Sequence, residues 1–195
     1  MSRKAELERR TRETTVQVSI ELDGSGQADV TTGIAFFDHM LALFSVHGFF
    51  DLGIHAQGDI AVDSHHTVED VGLVLGEAVD RAVGDRKGIR RYGYAVTPMD
   101  DALAQVAIDL SRRPYLLFQI PVVSSLERTF NGALAKEFFK SVANRAGMNL
   151  HVTVPYGENE HHILEAVFKS FGRALQQAVS ADPRSRGVRS SKGTL

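Results

Sequence analysis

Apolar residues recur along this chain with two different periods, and each period predicts one type of element. Alternation of apolar and polar residues predicts half-buried strands over residues 16–22 and 104–110, and a strand region over residues 49–62 in which Leu52, Ile54 and Ala56 alternate. Spacings of three and four predict amphipathic helices over residues 34–46 and 134–146, and over two longer segments that each begin with a doubled histidine. The chain is therefore expected to mix strands and helices throughout its length.

Turn signals join these segments into a unit that occurs twice. Asp23-Gly24-Ser25-Gly26 is expected to return residues 27–32 as the second strand of a hairpin, and Ser111-Arg112-Arg113-Pro114 is expected to do the same for residues 115–122. In each unit a helix, a strand and a longer helix follow. The charged residues 3–15 are predicted to form a solvated leader, and the basic, glycine-broken residues 86–93 a connector.

The repeat predicts a fold class. We expect one domain over residues 1–195, built from duplicated halves of about 11–96 and 97–182, with a tail at 183–195. Helices that pack on one face of a mixed sheet give a two-layer α/β sandwich of the α+β kind. At an offset of 96 residues the two long helices match at several positions, including Gly76 with Gly172.

The two long helices both begin with the motif His-His-x-x-Glu. The first copy is His65-His66 with Glu69, and the second is His161-His162 with Glu165. On a helix, adjacent side chains diverge by about 100°, so each histidine pair suits two metal centres better than one. A single copy fits a helix-capping pair as well as a metal site, whereas two copies 96 residues apart favour metal binding.

The shorter helices extend this ligand set. An offset of 98 residues places His39 on Glu137, so each half offers one ligand from its first helix and three from its second. The eight candidates are His39, His65, His66, Glu69, Glu137, His161, His162 and Glu165. Eight such ligands suit two metal ions with positions left open for substrate. Nitrogen and oxygen ligands suit Mn(II), although Fe, Co, Ni and Zn stay open.

Composition narrows the class of protein. The chain has 195 residues, 43% hydrophobic and 24% charged, which is ordinary for a globular protein. A net charge of −2 gives no basic field for nucleic acid, and no apolar run reaches the length that spans a membrane. The first ten residues are charged and lack the apolar core of a signal peptide, so we expect a cytoplasmic protein. The absence of cysteine excludes thiolate metal sites.

Cations in glycine- or proline-bounded segments suggest an anionic substrate. Arg91, Arg113 and Lys192 are of this kind, and each alone fits a solvent-exposed charge. Together with a metal site they fit a phosphorylated small molecule, because Arg and Lys bind phosphate readily. Residues 182–195, which contain Lys192, have the composition of a segment without fixed structure.

A resemblance covers the chain from about residue 9 to its end. It is carried by Phe37-Asp38-His39-Met40-Leu41, Asp63-Ser64-His65-His66-Thr67-Val68-Glu69-Asp70, Arg86-Lys87-Gly88-Ile89, Ser111-Arg112-Arg113-Pro114-Tyr115, His161-His162 with Glu165, and Ser190-Ser191-Lys192-Gly193. This ordered set resembles the imidazoleglycerol-phosphate dehydratases. The resemblance implies a lyase of histidine biosynthesis that converts imidazole glycerol phosphate to imidazole acetol phosphate and water. It also implies two Mn(II) ions per active site, a duplicated α/β half-domain, and a homo-oligomer of 24 subunits assembled from trimers, with active sites at subunit interfaces.

The resemblance also assigns roles to single residues. Matching the family's metal ligands are His39, His65, His66, Glu69, His161, His162 and Glu165. Glu13 matches the family's acid/base glutamate. The family's phosphate contacts are matched by Arg91, Arg113, Lys169, Ser190 and Lys192. Family members often carry histidine where this chain has Glu137, but the repeat predicts a ligand there, and a carboxylate can replace imidazole on Mn(II). Asp38 and Asp70 are candidate hydrogen-bond acceptors for the ligating imidazoles, although each also fits a solvent-facing or capping carboxylate.

Two other functions fit the same residues. A dinuclear metallohydrolase acting on a phosphorylated small molecule would also use a His/carboxylate site and a phosphate clamp, but it would release inorganic phosphate. A metal-storage or metal-sensing protein would bind metal without turnover. Storage proteins that use carboxylate-rich helical bundles are nearly all helix, so the alternation of strands and helices disfavours storage.

Overall fold

The computed structural model describes residues 3–121, 129–185 and 187–194 of the chain. Its elements, in chain order, are β1 (Lys4–Arg10), β2 (Thr14–Glu21), β3 (Ala28–Thr31), α1 (Ala35–Gly48), β4 (Asp51–Gly58), α2 (His65–Val83), β5 (Tyr92–Met99), β6 (Ala102–Asp109), β7 (Tyr115–Gln119), α3 (Gly132–Arg145), β8 (Asn149–Tyr156) and α4 (Glu160–Val179). Within the described part of the chain, no helix is both long and apolar enough to cross a membrane.

The strands form two four-stranded sheets with the same topology. The first has the order β1-β2-β4-β3 and the second β5-β6-β8-β7. In each sheet the first three strands are antiparallel, and the last strand runs parallel to its neighbour. The two halves therefore share their element order and their strand order, as expected for a duplicated unit.

The predicted hairpins are wrong in both halves. β3 pairs with β4 rather than β2, and β7 pairs with β8 rather than β6. The physical reason is that both edges of β2 are already occupied, by β1 and β4, and both edges of β6 by β5 and β8. After β2 the chain is fastened beside β4, because the Asp51 carboxylate accepts hydrogen bonds from the backbone N–H groups of Ser25 and Gln27 at 2.8 and 3.0 Å.

The predicted leader and the end of the predicted connector are strands instead. β1 is an edge strand that carries mostly charged residues, and only Ala5 and Leu7 pack against the core. Charged edge strands are common because they resist pairing with other chains. β5 turns Gly93, Ala95 and Thr97 inward, so its inner face lacks the large apolar residues that signal a strand. A Cβ atom on Gly93 would lie 1.8 Å from the carbonyl oxygen of Ala174, which shows how closely β5 approaches α4.

The helices lie between the two sheets. In each half the two helices pack on one face of that half's sheet, which is the predicted two-layer sandwich of a duplicated half-domain. The halves then meet through their helices, α1 against α4 and α2 against α3. Phenylalanine rings fill this layer; for example, Phe37 stacks on Phe130 with ring centroids 4.6 Å apart, and Phe138 stacks on Phe168 at 5.5 Å.

Two glycines that match in the repeat allow this close helix packing. A Cβ atom on Gly76 would lie 2.6 Å from the carbonyl oxygen of Val142 on α3, and one on Gly172 would lie 2.5 Å from that of Phe44 on α1. Since Phe44 lies beside Gly172 while His39 lies beside Glu165, α1 and α4 run in the same direction. The first turns of α1 and α4 are thereby brought side by side.

Candidate metal and substrate site

His39, His161 and Glu165 converge where α1 and α4 begin. The Glu165 carboxylate lies 3.2 Å from His161 Nε2 and 3.5 Å from His39 Nε2. The Asn159 side chain caps α4 by accepting a hydrogen bond from the backbone N–H of His161 at 2.9 Å, which fixes where the helix begins. Glu165 is one helical turn later, so it faces the same way as His161. Among the described residues, this is the one group of three potential ligands whose atoms lie within 4.8 Å of one another.

Glu165 is kept ionised in spite of its burial. Burial is the strongest single influence and raises the pKa of the carboxyl, but Lys169, His161 and His39 together lower it below its ordinary value. Lys169 Nζ lies 2.6 Å from the carboxylate, one turn further along α4. Two imidazole nitrogens and a carboxylate oxygen are ligands that Mn(II) accepts. The residues present therefore fit a divalent metal ion.

The second histidine of each pair faces away from the first, as helical spacing predicts. The ring planes of His161 and His162 are inclined at 78°, and those of His65 and His66 at 88°. His162 Nδ1 contacts the Asp101 carboxylate, and its Nε2 lies 3.4 Å from Asp100. His162 is therefore directed away from the group formed by His39, His161 and Glu165.

His66 lies against two carboxylates. Its Nδ1 is 3.0 and 3.2 Å from the two oxygens of Asp59, and 3.7 Å from Glu13. The hydrogen bond to Asp59 is the main reason that the pKa of His66 is raised above its ordinary value, and Glu13 adds to the effect. Glu13, the expected acid/base residue, lies between β1 and β2 and is mostly exposed to solvent. The structure thus brings Glu13 beside an expected metal ligand of the same chain.

The expected imidazole acceptors Asp38 and Asp70 are wrong. Asp38 accepts hydrogen bonds from the backbone N–H and hydroxyl of Thr32, at 2.8 and 2.5 Å, and so fastens the start of α1. Asp70 accepts a hydrogen bond from Arg9 at 3.0 Å and another from Thr14, which ties α2 to β1 and β2. Both carboxylates bind their neighbours in the fold rather than an imidazole.

The carboxylates that lie on the Nδ1 atoms of His66 and His162 at hydrogen-bond distance are Asp59 and Asp101, which the sequence did not single out. Asp59 follows β4, and Asp101 lies in the turn between β5 and β6, 61 residues before His162. No spacing rule connects Asp101 to a histidine so far along the chain. Only the position of Asp59 close to a histidine motif offered a signal.

The first half does not assemble a matching group within this chain. Glu137, on α3, lies 3.1 Å from Lys140. His65 donates its backbone N–H to Asp63 at 2.8 Å as α2 begins. In the described ranges, Glu137, His65 and Glu69 do not form a ligand group as tight as that of His39, His161 and Glu165.

Four of the five expected phosphate contacts line one open cavity of about 850 Å³. Its lining residues are Arg91, Tyr92, Ser111, Arg112, Arg113, Arg189, Ser190, Ser191, Lys192 and Thr194. With four arginines and one lysine, this basic cavity is suitable for an anion such as phosphate. The fifth expected contact, Lys169, lies beside Glu165 instead.

Arg91 is the most firmly held cation of the basic cavity. Its side chain is 9% exposed and forms a two-pronged ion pair with Asp109, at 2.6 and 3.0 Å, which raises the pKa of the guanidinium. It also donates a hydrogen bond to the carbonyl oxygen of Arg189 at 2.5 Å. Arg91 therefore connects the second sheet to the tail.

The tail is bound to the rest of the fold as far as Arg189, and the residues after Arg189 form a turn through contacts among themselves. Ala181 and Val188 form bridges to Ile89 and Lys87 of the connector. Beyond Arg189, the Lys192 backbone N–H donates to the Ser190 hydroxyl at 3.2 Å. The composition of the tail predicts no fixed structure, but its described residues up to Arg189 have specific partners, which position Ser190 and Lys192 at the basic cavity.

The basic cavity and the metal-ligand group lie at opposite ends of α4. His161 is in the first turn of this helix, whereas the backbone N–H of Arg91 bonds to the carbonyl oxygen of Ala178 in its last turn, at 2.9 Å. Seventeen helical residues separate His161 from Ala178, which is about 25 Å along the helix axis at 1.5 Å per residue. A small molecule cannot contact both ends of α4 in one chain.

Comparison with known proteins matches both the sequence and the fold. The family model for imidazoleglycerol-phosphate dehydratase matches residues 32–175. This chain belongs to the imidazoleglycerol-phosphate dehydratase family. Imidazoleglycerol-phosphate dehydratases from Desulfosudis oleivorans and Geobacter sulfurreducens are 58% and 53% identical to it over 195 residues, which is 100% of this chain and of each relative.

Solved structures of imidazoleglycerol-phosphate dehydratases have the same fold. The Staphylococcus aureus enzyme has a TM-score of 0.82 and 37% identity, over 92% of this chain and 99% of that one. The Pyrococcus furiosus enzyme, in complex with (S)-C348, has a TM-score of 0.85 and 35% identity, over 97% of this chain and 100% of that one. Membership of the family makes the chain a dehydratase, a hydro-lyase of histidine biosynthesis. The function implied by the resemblance is thus confirmed, in place of the metallohydrolase alternative.

Proposed function

We propose that the dehydration takes place at a site with two divalent metal ions, with Mn(II) as the preferred ion. The convergence of His39, His161 and Glu165 at the start of α1 and α4 is the observation that carries this proposal. These three residues would hold one ion. The other candidate ligands would complete that ion's shell and hold the second ion: His65, His66, Glu69, Glu137 and His162.

The proposal includes active sites shared between chains. A substrate with an imidazole ring at one end and a phosphate at the other needs the metal ligands and the basic cavity together. Since about 25 Å of helix separates them within one chain, the basic cavity of one chain would serve the metal-ligand group of another. This separation supports a closed homo-oligomer, for which we propose 24 subunits assembled from trimers.

The chain's own residues would then bind and orient the substrate. Arg91, Arg113, Ser190 and Lys192 would hold the phosphate, and this remote binding would align the reacting carbons. Lys169 lies beside Glu165 at the metal end of α4. It would therefore contact the phosphate from the chain that supplies the metal ligands. When bound, the metal ions would act as Lewis acids on the ring nitrogens and so favour loss of the proton beside the ring.

Glu13 would carry the proton. Its carboxylate lies 3.7 Å from His66 Nδ1, so the residue stands beside the proposed metal site rather than in it. Its exposure in this chain suits a residue that becomes enclosed when a neighbouring chain covers it. Glu13 would take the proton from the carbon beside the imidazole ring and return one to the departing hydroxyl.

Metal removal and readdition test this proposal. The purified protein is stripped with a chelator, assayed on imidazole glycerol phosphate, and assayed again after addition of Mn(II). We expect activity to fall in proportion to metal content and to return with about two Mn(II) per chain, with phosphate retained on the product. Full activity in protein that elemental analysis shows to be metal-free would overturn the proposal. A cytoplasmic location remains part of it, supported by the family's role in biosynthesis.

A further inference from the structure

Two histidines of the proposed metal site share an arrangement that the ligand motif does not explain. His66 and His162 occupy matching positions of the repeat, and each has a carboxylate on its Nδ1 atom. The carboxylates belong to Asp59 and Asp101. A carboxylate on Nδ1 keeps the proton on that nitrogen and leaves the lone pair of Nε2 for a metal ion; at His162, the Asp100 carboxylate lies 3.4 Å from that Nε2.

The repeat relates these carboxylates only in part. β5 and β6 match β1 and β2, so Asp101, the residue before β6, corresponds to Glu13, the residue before β2, which lies 3.7 Å from His66 Nδ1. Asp59 follows β4, and the offset of 98 residues that matches β4 with β8 places it on Gly157, which has no carboxylate. Each half therefore directs a carboxylate towards its second histidine from the matching turn, and the first half adds Asp59, which is the closer of its two.

Asp101 is held in place by the backbone of the segment before α4. Its Oδ2 accepts hydrogen bonds from the backbone N–H groups of Glu158 and Asn159, at 2.6 and 3.0 Å. This leaves Oδ1 to contact His162. We propose that Asp101 is a positioning residue that fixes the tautomer and ring orientation of His162 for metal binding through Nε2, and that Asp59 does the same for His66. This inference rests on the proposed metal site.

Replacement of Asp101 by asparagine gives a specific test. The two backbone N–H groups will bind the amide oxygen, so the amide NH₂ will face His162 and donate to Nδ1. The proton of the imidazole then moves to Nε2, which cannot bind metal in that form. We expect Asp101→Asn to lower the affinity of one of the two Mn(II) sites by about 10- to 100-fold, as measured from the electron paramagnetic resonance signal of free Mn(II) during titration.

A smaller effect is expected for Asp59→Asn. Both oxygens of Asp59 face His66, and the described contacts of its side chain include no backbone N–H that would hold the amide in one orientation. The amide oxygen of the variant can therefore still accept from Nδ1. The matched control is Asp51→Asn, since Asp51 accepts two backbone N–H groups through Oδ1 just as Asp101 does through Oδ2, but contacts no histidine in the described structure. This control should bind Mn(II) like the wild type.

A double variant separates positioning from a structural role. If Asp101 acts through His162, then Asp101→Asn should lower Mn(II) affinity in the wild type and cause no further loss in a His162→Gln background. Equal losses of Mn(II) affinity in both backgrounds would overturn this inference alone. So would wild-type Mn(II) affinity in Asp101→Asn together with a lower unfolding midpoint. A wild-type protein that binds no Mn(II) would overturn the proposed metal site together with it.

Discussion

Glu137 is the candidate ligand at which the repeat and the local structure differ. The offset of 98 residues pairs it with His39, which lies in a tight ligand group, whereas Glu137 forms an ion pair with Lys140. The proposed assembly leaves room for ligands from a neighbouring chain here, because the Glu137 side chain is 28% exposed. The position is therefore best tested by its effect on metal content.

We predict that Glu137→Ala lowers Mn(II) occupancy towards one ion per chain, because one of two centres loses a ligand, and that Glu137→His restores it. Elemental analysis of the purified variants measures this. Lys140→Ala is the control, since it removes the ion pair without removing the carboxylate. Two ions per chain and full activity in Glu137→Ala would make Glu137 an ordinary helix carboxylate.

Asp182 makes the tail sensitive to acid. Arg184 donates to this carboxylate from its side chain and its backbone, and these bonds hold the pKa of Asp182 well below its usual range. Because the pKa of Asp182 is lower in the folded form than the value of about 3.9 in the unfolded form, ionised Asp182 stabilises the folded form above that pH. This contribution is lost as the pH falls below that value. Hydrogen exchange of residues 181–185 and 187–189 should therefore lose protection as the pH is lowered from 5 to 2.5. Asp182→Asn should show the loss at both pH values, and protection that does not change would contradict this assignment.

Residue spacing predicted some of these contacts and not others. The convergence of His161 with Glu165, and the divergence of His161 from His162, follow from helix geometry and needed no structure. The contact of Asp101 with His162 depends on how a β-turn packs against a different helix. Sequence spacing carries no information on such a contact, which is why the prediction of Asp38 and Asp70, the neighbours of His39 and Glu69 in the sequence, was wrong.

At the scale of elements, the buried side chain of Arg86 links the two halves. Its side chain is 1% exposed, pairs with Asp80 of α2, and donates to the carbonyl oxygens of Ala146 and Gly147 after α3, at 2.6 and 3.1 Å. Burial lowers the pKa of this guanidinium, but Asp80 opposes the effect. This side chain ties the C-terminal end of α2 to the residues that follow α3.

We predict that Arg86→Ala lowers the free energy of unfolding by about 3 kcal/mol, because it leaves buried carbonyl groups and Asp80 without their partner. Arg81→Ala is the matched control. Arg81 forms an exposed ion pair with Glu77 at 2.6 Å on the same helix, and its loss should cost less than about 1 kcal/mol. Urea denaturation at one protein concentration measures both, and equal losses would contradict the buried link.

The sequence predicted every helix of the fold and misassigned the strand pairing. Helices are predicted by local periodicity, and the four apolar faces were clear. Strand pairing is set by which edges are free, and β2 and β6 have none left for the strands that follow them. β1 and β5 were missed because a charged edge strand, and a strand lined by glycine, alanine and threonine, lack the alternation of large apolar residues that signals burial.

At the scale of the whole molecule, metal binding and assembly are expected to depend on each other. If ligands from different chains hold the same ions, metal binding contributes to association. We predict that a chelator reduces the particle size in light scattering and that Mn(II) restores it. If elemental analysis shows that all metal has been removed and the particle still keeps its full size, assembly does not depend on metal binding.

The length of α4 also has a genetic consequence. A chain with His161→Ala keeps its basic cavity, and a chain with Arg113→Ala keeps its metal-ligand group, so each allele damages a different end of the helix. If sites are shared between chains as proposed, homo-oligomers of either allele lack complete sites, and random mixing of the two gives about a quarter of the sites both intact parts. Two alleles that each fail to relieve a histidine requirement should therefore do so when they are expressed in the same cell, whereas two alleles damaged at the same end should not.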